Sequence, residues 1–181
     1  FSFAWIGRNK MADIPEAGAV GDAENRPPIV INAQYIKDLS FEAPSAPGIF
    51  QVMQQKAPDI NVSVNVDSNM IENNVYEIVL TIAAHATVDE ETAFLLELEY
   101  AGVFTLNCET EHIHPMAYIE CPRLLFPFAR AILANTTREG GFPPLMLGTV
   151  DFVAMFQREM ENRATEAEGE NAVSEEVSAD T

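Results

Sequence analysis

The chain has 181 residues and a formal charge of −18, from 28 acidic against 10 basic side chains. Binding a phosphate backbone takes clustered Lys and Arg, so nucleic acid is excluded as a partner, and basic proteins or peptide segments are the electrostatic complement. A core of this size needs no disulfide, the two cysteines (Cys108 and Cys121) suit a reduced, cytoplasmic protein, and no apolar run reaches the ~20 residues that insert in a bilayer.

Phe1 to Ile6 is apolar and is followed by Arg8 and Lys10, the reverse of a secretory signal, and Met11 comes later. Residues 1–10 are expected to be a non-native upstream extension. With the Ala-, Gly- and Pro-rich stretch to Pro28 they form a disordered arm, 1–28. The folded domain is expected over 29–163.

Ile29 to Phe41 is rich in β-branched and aromatic residues and predicts a first strand with loose alternation. Pro44, Pro47 and Gly48 break it. The connection to Pro58 is long, and it carries Ile49, Phe50, Val52 and Met53, which a solvated linker would not need. Asp38 and Glu42 flank the break. With Lys37 the only His, Cys or Lys nearby, this is a place for binding rather than acid/base chemistry.

Ile60, Val62, Val64 and Val66 alternate with polar residues and predict a half-buried strand that stops at Asp67-Ser68-Asn69. Val75 to Val88 and Thr92 to Leu106 predict two more strands around the turn Asp89-Glu90-Glu91, and such short turns imply antiparallel neighbours. In the last strand Leu96, Leu98 and Tyr100 share one parity, and Leu95, Glu97 and Glu99 the other. Both faces carry apolar residues, so one is expected to meet helices and the other a second subunit.

Glu109 to Cys121 and Pro122 to Thr137 have helical content, with Pro122 suited to a first turn, Pro127 to a kink and Gly140-Gly141 to a stop. Leu125, Phe126 and Phe128 belong to a helix apolar nearly all round, which is buried or offered to a partner. Asp151 caps a last helix, Phe152 to Arg163, with Phe152, Met155, Phe156 and Met160 on one side. Ala164 to Thr181 holds six acids and no base, a disordered acidic tail.

Cys108, His112, His114 and Cys121 follow a C-x3-H-x-H-x6-C spacing that matches no common zinc site. A Cys–His nucleophile drawn from the same residues lacks a glycine-rich oxyanion loop. Buried small cysteines and surface histidines are the simpler account, so no catalytic residue and no metal site is expected. Asp89-Glu90-Glu91 lacks the alternating pattern of a calcium loop, and neither a P-loop nor a dinucleotide fingerprint is present. No cofactor is expected.

The segments Tyr35 to Phe50, Val75-Tyr76-Glu77-Ile78-Val79-Leu80, Glu90-Glu91-Thr92-Ala93-Phe94-Leu95, Cys121 to Arg130 and the Gly-Phe-Pro-Pro-Leu run from Gly141 resemble the SecB family of export chaperones, in order, over about 29–163. The resemblance implies an α+β fold, a four-stranded antiparallel sheet with helices packed on one face. It implies a homotetramer, built as a dimer of dimers, that holds precursor proteins unfolded without ATP and passes them to the SecA motor. The positions matching the family's SecA-binding residues are Asp38, Glu42, Leu95 and Glu97. Those matching its tetramer-assembly positions are Leu96, Leu98 and Tyr100, with Leu96 replacing the usual cysteine. Phe41, Phe50, Val52, Met53, Leu125, Phe126 and Phe128 are the expected client groove, and the loop after the first strand is about two residues longer than the common form. The family binds no metal itself. A SecB-like chaperone of a toxin–antitoxin pair, or a Cys/His hydrolase, are the alternative functions.

Overall fold

A computed structural model describes residues 26–162 and Thr165. The expected arm over 1–28 and tail over 164–181 therefore lie almost wholly outside the described residues. Strands β1 (Ile29–Glu42), β2 (Asp59–Glu72), β3 (Val75–Val88) and β4 (Glu91–Leu106) form one antiparallel sheet in the order β1-β4-β3-β2. Helices lie on one face only, which bears out the expected α+β architecture.

Two-residue turns join β2 to β3 and β3 to β4. Asp89 and Glu90 both take positive φ, 48° and 70°, the mirror-type turn whose twist matches the strands. β2 does not stop at Asp67-Ser68-Asn69 as expected. Those residues pair with Val79, Ile78 and Glu77, because turn-prone side chains on an edge strand still leave its backbone free to bond one neighbour.

β1 explains its own loose alternation. Its register against β4 slips between Ile31 and Ala33 and again between Ile36 and Asp38. Each slip inserts one extra residue, Asn32 and Lys37, and a single extra residue exchanges the faces of everything beyond it. Ile36 thus pairs with Tyr100 on the helical side, while Asp38 pairs with Glu99 on the open side. Both extra residues are tied down: Asn32 Nδ2 donates to Thr105 Oγ1 at 2.8 Å, and Lys37 Nζ to Glu77 Oε2 at 2.9 Å.

After β4 the chain forms α2 (Thr110–Pro115), one wide π turn (Met116–Glu120) and α3 (Cys121–Glu139) almost without a break, where the sequence suggested two separate helices. Pro122 lies directly after the wide π turn, at the second residue of α3. The core lies between α3 and the sheet. Phe94, Leu96, Leu98, Phe104, Ile78, Leu80 and Ile82 are buried there, with Leu125, Ala129 and Leu133. Each buried Leu or Ile contributes about 1.5–3 kcal/mol. Gly102 permits the close approach of helix to sheet: a Cβ there would lie 2.9 Å from Leu125 and 2.6 Å from the Phe104 ring.

The closure of α3 sets the path of the chain beyond it. Gly141 has φ 88°, its N–H donates to the Arg138 carbonyl at 3.1 Å, and the Phe142 N–H donates to the Thr137 carbonyl at 3.0 Å. This paired closure needs a residue free to take positive φ, and it aims Phe142 back at the core. Extended chain then leads to α4 (152–162), where Asp151 Oδ1 accepts from the Ala154 N–H at 3.0 Å, the expected cap.

Candidate functional site

Two surfaces of opposite chemistry emerge from this sheet. The first is aromatic and lies where the 43–58 connection meets the end of α3. Phe41 stacks on Phe94 at 5.8 Å, and Phe142 meets Phe41 at 6.0 Å, Phe94 at 5.1 Å and Phe50 at 5.1 Å. Ile49, in the single turn α1 (Ile49–Val52), is fully buried and anchors the loop, while Phe50, Val52 and Met53 stay half-buried around it. The Ala46–Pro47 peptide is cis. The expected groove residues Phe41, Phe50, Val52 and Met53 therefore gather, joined by Phe94 and Phe142, which sequence reasoning missed. Their signal was weak, since Phe94 lies in a strand apolar on both faces and Phe142 beyond a helix stop.

The helical members of the expected groove go elsewhere. Leu125 and Phe126 are buried in the core, Leu125 beside Gly102 and Phe126 edge-on to Phe152 at 6.0 Å. Both are corrected to core residues, because the stripe they occupy is the one α3 turns to the sheet and to α4. Phe128 is 52% exposed but stacks on Tyr100 at 6.3 Å, on the β1 side, apart from Phe50. A groove that the sequence did not reveal runs between β2 and α4. It holds about 410 Å³ and is of mixed character, with Val64, Val66, Tyr118, Met155 and Phe156 beside the polar Asn65, Asp67, Arg158, Glu159 and Asn162. Tyr118 stacks on Phe156 at 6.1 Å and on His114 at 5.6 Å, and so extends the groove toward a smaller hollow at Met70 and Ile113.

The second surface is the open face of the sheet. The register lines side chains across it in rows. Asn61, His85, Leu95 and Glu42 form one row, Ser63, Ala83, Glu97 and Ser40 the next, and Asn65, Thr81, Glu99 and Asp38 the third. The expected Asp38, Glu42, Leu95 and Glu97 thus share one face of two adjacent strands, and Glu99 joins them. Among the described residues no cation pairs with any of these acids. In the adjoining row, Tyr35 reaches over Ala101 to hydrogen-bond Glu77, which also takes Lys37. The Tyr35 and Lys37 hydrogen bonds hold the Glu77 carboxyl below its ordinary range, and the Glu77 bond pushes the Tyr35 phenol up. That latch neutralises its own charge and leaves the acids of β1 and β4 uncompensated.

Leu96, Leu98 and Tyr100 occupy the opposite parity and lie beneath α3, 1%, 0% and 8% exposed. They are buried within one chain and offer almost no surface to another subunit, so any effect on assembly passes through the helix they support. Large apolar side chains left bare include Ile31, Ile36 and Leu39 on the helical side of β1, with Leu124 and Phe128 of α3, and others on β2 such as Val62, Met70 and Ile71; Tyr35 and Leu95 are bare on the open face.

The Cys/His set does not assemble. Cys121 is fully buried, and burial first, then Glu120 and Cys108, pushes its thiol up to about 12. A thiol kept protonated is a weak nucleophile and a poor metal ligand. His114 is stacked on Tyr118, and His112 lies 3.5 Å from Glu111. The potential ligands that do meet among the described residues are Glu109, Glu111 and His112, all exposed.

A one-layer sheet with helices on one side, an aromatic cluster at one end and a bare acidic face on the other side is the framework these residues build. The sequence profile of the family described as "Preprotein translocase subunit SecB" matches residues 22–163, and the chain belongs to that family. It is 53% identical over 135 residues to the protein-export protein SecB of Paramagnetospirillum magneticum, covering 75% of this chain and 87% of that protein. It is 45% identical over 172 residues to that of Granulibacter bethesdensis, covering 91% and 96%. Among solved structures, a Mycobacterium tuberculosis SecB-like chaperone in complex with a ChAD peptide from the HigA1 antitoxin shares the fold. It matches with TM-score 0.53 and 16% identity over 68% of this chain and 91% of that one.

Proposed function

We propose that the protein is an ATP-independent cytoplasmic export chaperone that holds precursor proteins unfolded and delivers them to SecA. The observation that carries this is the separation of two chemistries on one sheet. Half-buried aromatic and apolar side chains lie on the helical side, and uncompensated carboxylates stand on the open side. A holdase has to bind many sequences, so it needs apolar area without precise hydrogen-bond readout. The Phe41–Phe50 cluster and the β2–α4 groove offer that, with Met53 and Met155 as adaptable contacts. Binding the unfolded state draws a client away from folding by mass action. Asp38, Glu42 and Glu97 with the apolar Leu95 suit a basic partner segment and speed its encounter.

The proposed self-assembly would use β1. Its outer edge is unpaired and its helical side bares Ile31, Ile36 and Leu39 beside Phe128. An edge of this kind is normally covered, which suits the dimer-of-dimers tetramer, and grooves repeated over four chains bind one client with avidity. No helix among the described residues is long and apolar enough to cross a membrane. The protonated, buried Cys121 speaks against a Cys/His hydrolase. The export names of the close relatives favour this function over service to an antitoxin, whose solved example shares only the fold. Charge reversal tests the division directly. Glu97→Lys is expected to weaken SecA binding at least tenfold and leave capture of an unfolded precursor unchanged, with the oligomer mass intact. Equal loss of both would overturn it.

A further inference from the structure

Beyond α3 the chain runs as Gly141-Phe142-Pro143-Pro144-Leu145, and Phe142 is the ring on which Phe41, Phe50 and Phe94 converge. Proline has no N–H, so from Phe142 to Leu145 only the two end residues carry backbone donors. Both donors end on one residue of α3. The Phe142 N–H donates to the Thr137 carbonyl at 3.0 Å, and the Leu145 N–H donates to Thr137 Oγ1 at 2.9 Å. Thr137 is fully buried, and among the described residues no other Ser, Thr, amide or charged side chain is. Its hydroxyl donates back to the Leu133 carbonyl at 3.0 Å, with the Ala134 carbonyl at 3.2 Å. The single hydroxyl proton is thus taken by the helix, which leaves a lone pair for Leu145.

We propose that Thr137 is a positioning residue for client capture, whose hydroxyl pins the 142–145 segment and so presents Phe142, with Phe50 against it, as a ready-made apolar surface. This rests on the assignment of clients to the aromatic cluster. A hydroxyl is not needed to fill the space, since Val has nearly the same shape. A buried polar group costs stability unless it is bonded, and here the bond it accepts comes from the segment. The two prolines fix φ at successive positions, so the span between the bonds is stiff, and holding its ends holds the whole. Leu145 packs against the core and Phe142 meets three rings, so a shift at Leu145 passes to the cluster. A client that meets a preformed surface does not have to order it, and such preorganisation raises affinity. Without the hydroxyl the Leu145 N–H loses its partner. The segment then moves toward water to satisfy that donor, and Phe142 moves with it.

Thr137→Val removes the hydroxyl and keeps the shape, while Thr137→Ser keeps the hydroxyl. Hydrogen exchange read by mass spectrometry over 142–147 follows the segment, and anisotropy of a labelled unfolded precursor follows capture. Thr137→Val is expected to speed that exchange and weaken capture, each about tenfold, with SecA affinity and oligomer mass unchanged. Thr137→Ser is expected to restore both. Ile78→Val is the stability control: Ile78 is buried and pairs with Gly102, toward the far end of β4 from Phe94. It is expected to capture as the wild type does. Equal loss of capture with Ile78→Val, or no rescue by Thr137→Ser, overturns the role of the hydroxyl. Wild-type capture by Thr137→Val beside a loss with Phe50→Ala also overturns it, and leaves clients at the aromatic cluster. Wild-type capture by both Thr137→Val and Phe50→Ala overturns the assignment of clients to the cluster and the role of Thr137 with it.

Discussion

Replacing Phe142 and Phe50 in turn separates the core side of the aromatic cluster from its working side. Phe142 is 4% exposed and touches three rings. Removing a buried Phe costs about 3–5 kcal/mol, a large share of the roughly 5–15 kcal/mol that holds a domain together. Phe50 is half-buried and makes one ring contact, to Phe142 at 5.1 Å. Its truncation gives up about half of that, roughly 1.5–2.5 kcal/mol with its one aromatic pair included. Urea unfolding followed by circular dichroism measures the stability, and anisotropy of a labelled unfolded precursor measures capture. Phe142→Ala is expected to shift the midpoint far more than Phe50→Ala, while Phe50→Ala weakens capture about tenfold with its fold intact. Equal destabilisation at both positions, or unchanged capture by a folded Phe50→Ala, would refute the assignment of Phe50 to the client surface.

Gly140→Ala keeps every aromatic residue yet should disturb their cluster. A Cβ at Gly140 would lie 2.4 Å from the Phe41 ring, which must swing away, so client affinity should fall while titration shows SecA binding unchanged. The buried Cys121 thiol predicts alkaline weakening. Its folded pKa of about 12 lies above the ordinary value near 8.5, so between those limits the unfolded chain loses a proton that the folded chain keeps, and stability falls as pH rises. Urea unfolding at pH 8 and pH 10 should show the wild type losing about 2 kcal/mol more than Cys121→Ala. An equal loss in both proteins would contradict the burial of that thiol.

Much of the fold was legible because β2 alternates with a period of two, β3 and β4 are long runs rich in strand-forming residues, and the turns between them are short. β1 was legible as a strand but not in its facing. Asn32 and Lys37 are extra residues that only pairing with β4 reveals, and without the slip at Lys37 Asp38 would point under α3. Parity put Leu95, Glu97 and Glu99 on one face of β4, whereas the singling out of Glu97 came from the family resemblance. The groove was harder. Leu125 and Phe126 look like binding residues on a helix apolar all round, and only the packing of Gly102 and Phe152 against them shows them to be core. Phe94 and Phe142 join Phe50 across long stretches of chain, and the β2–α4 groove needs the return of 143–151 across the molecule. No local pattern carries such contacts.

The central claim is that clients and SecA use opposite sides of the same sheet. The most direct test is the affinity of SecA for the chaperone alone and for the chaperone saturated with an unfolded precursor that SecA itself does not bind. Independent faces predict a ternary complex and a SecA affinity within about twofold of the free value. Displacement of the precursor by SecA in proportion to its occupancy would contradict the account.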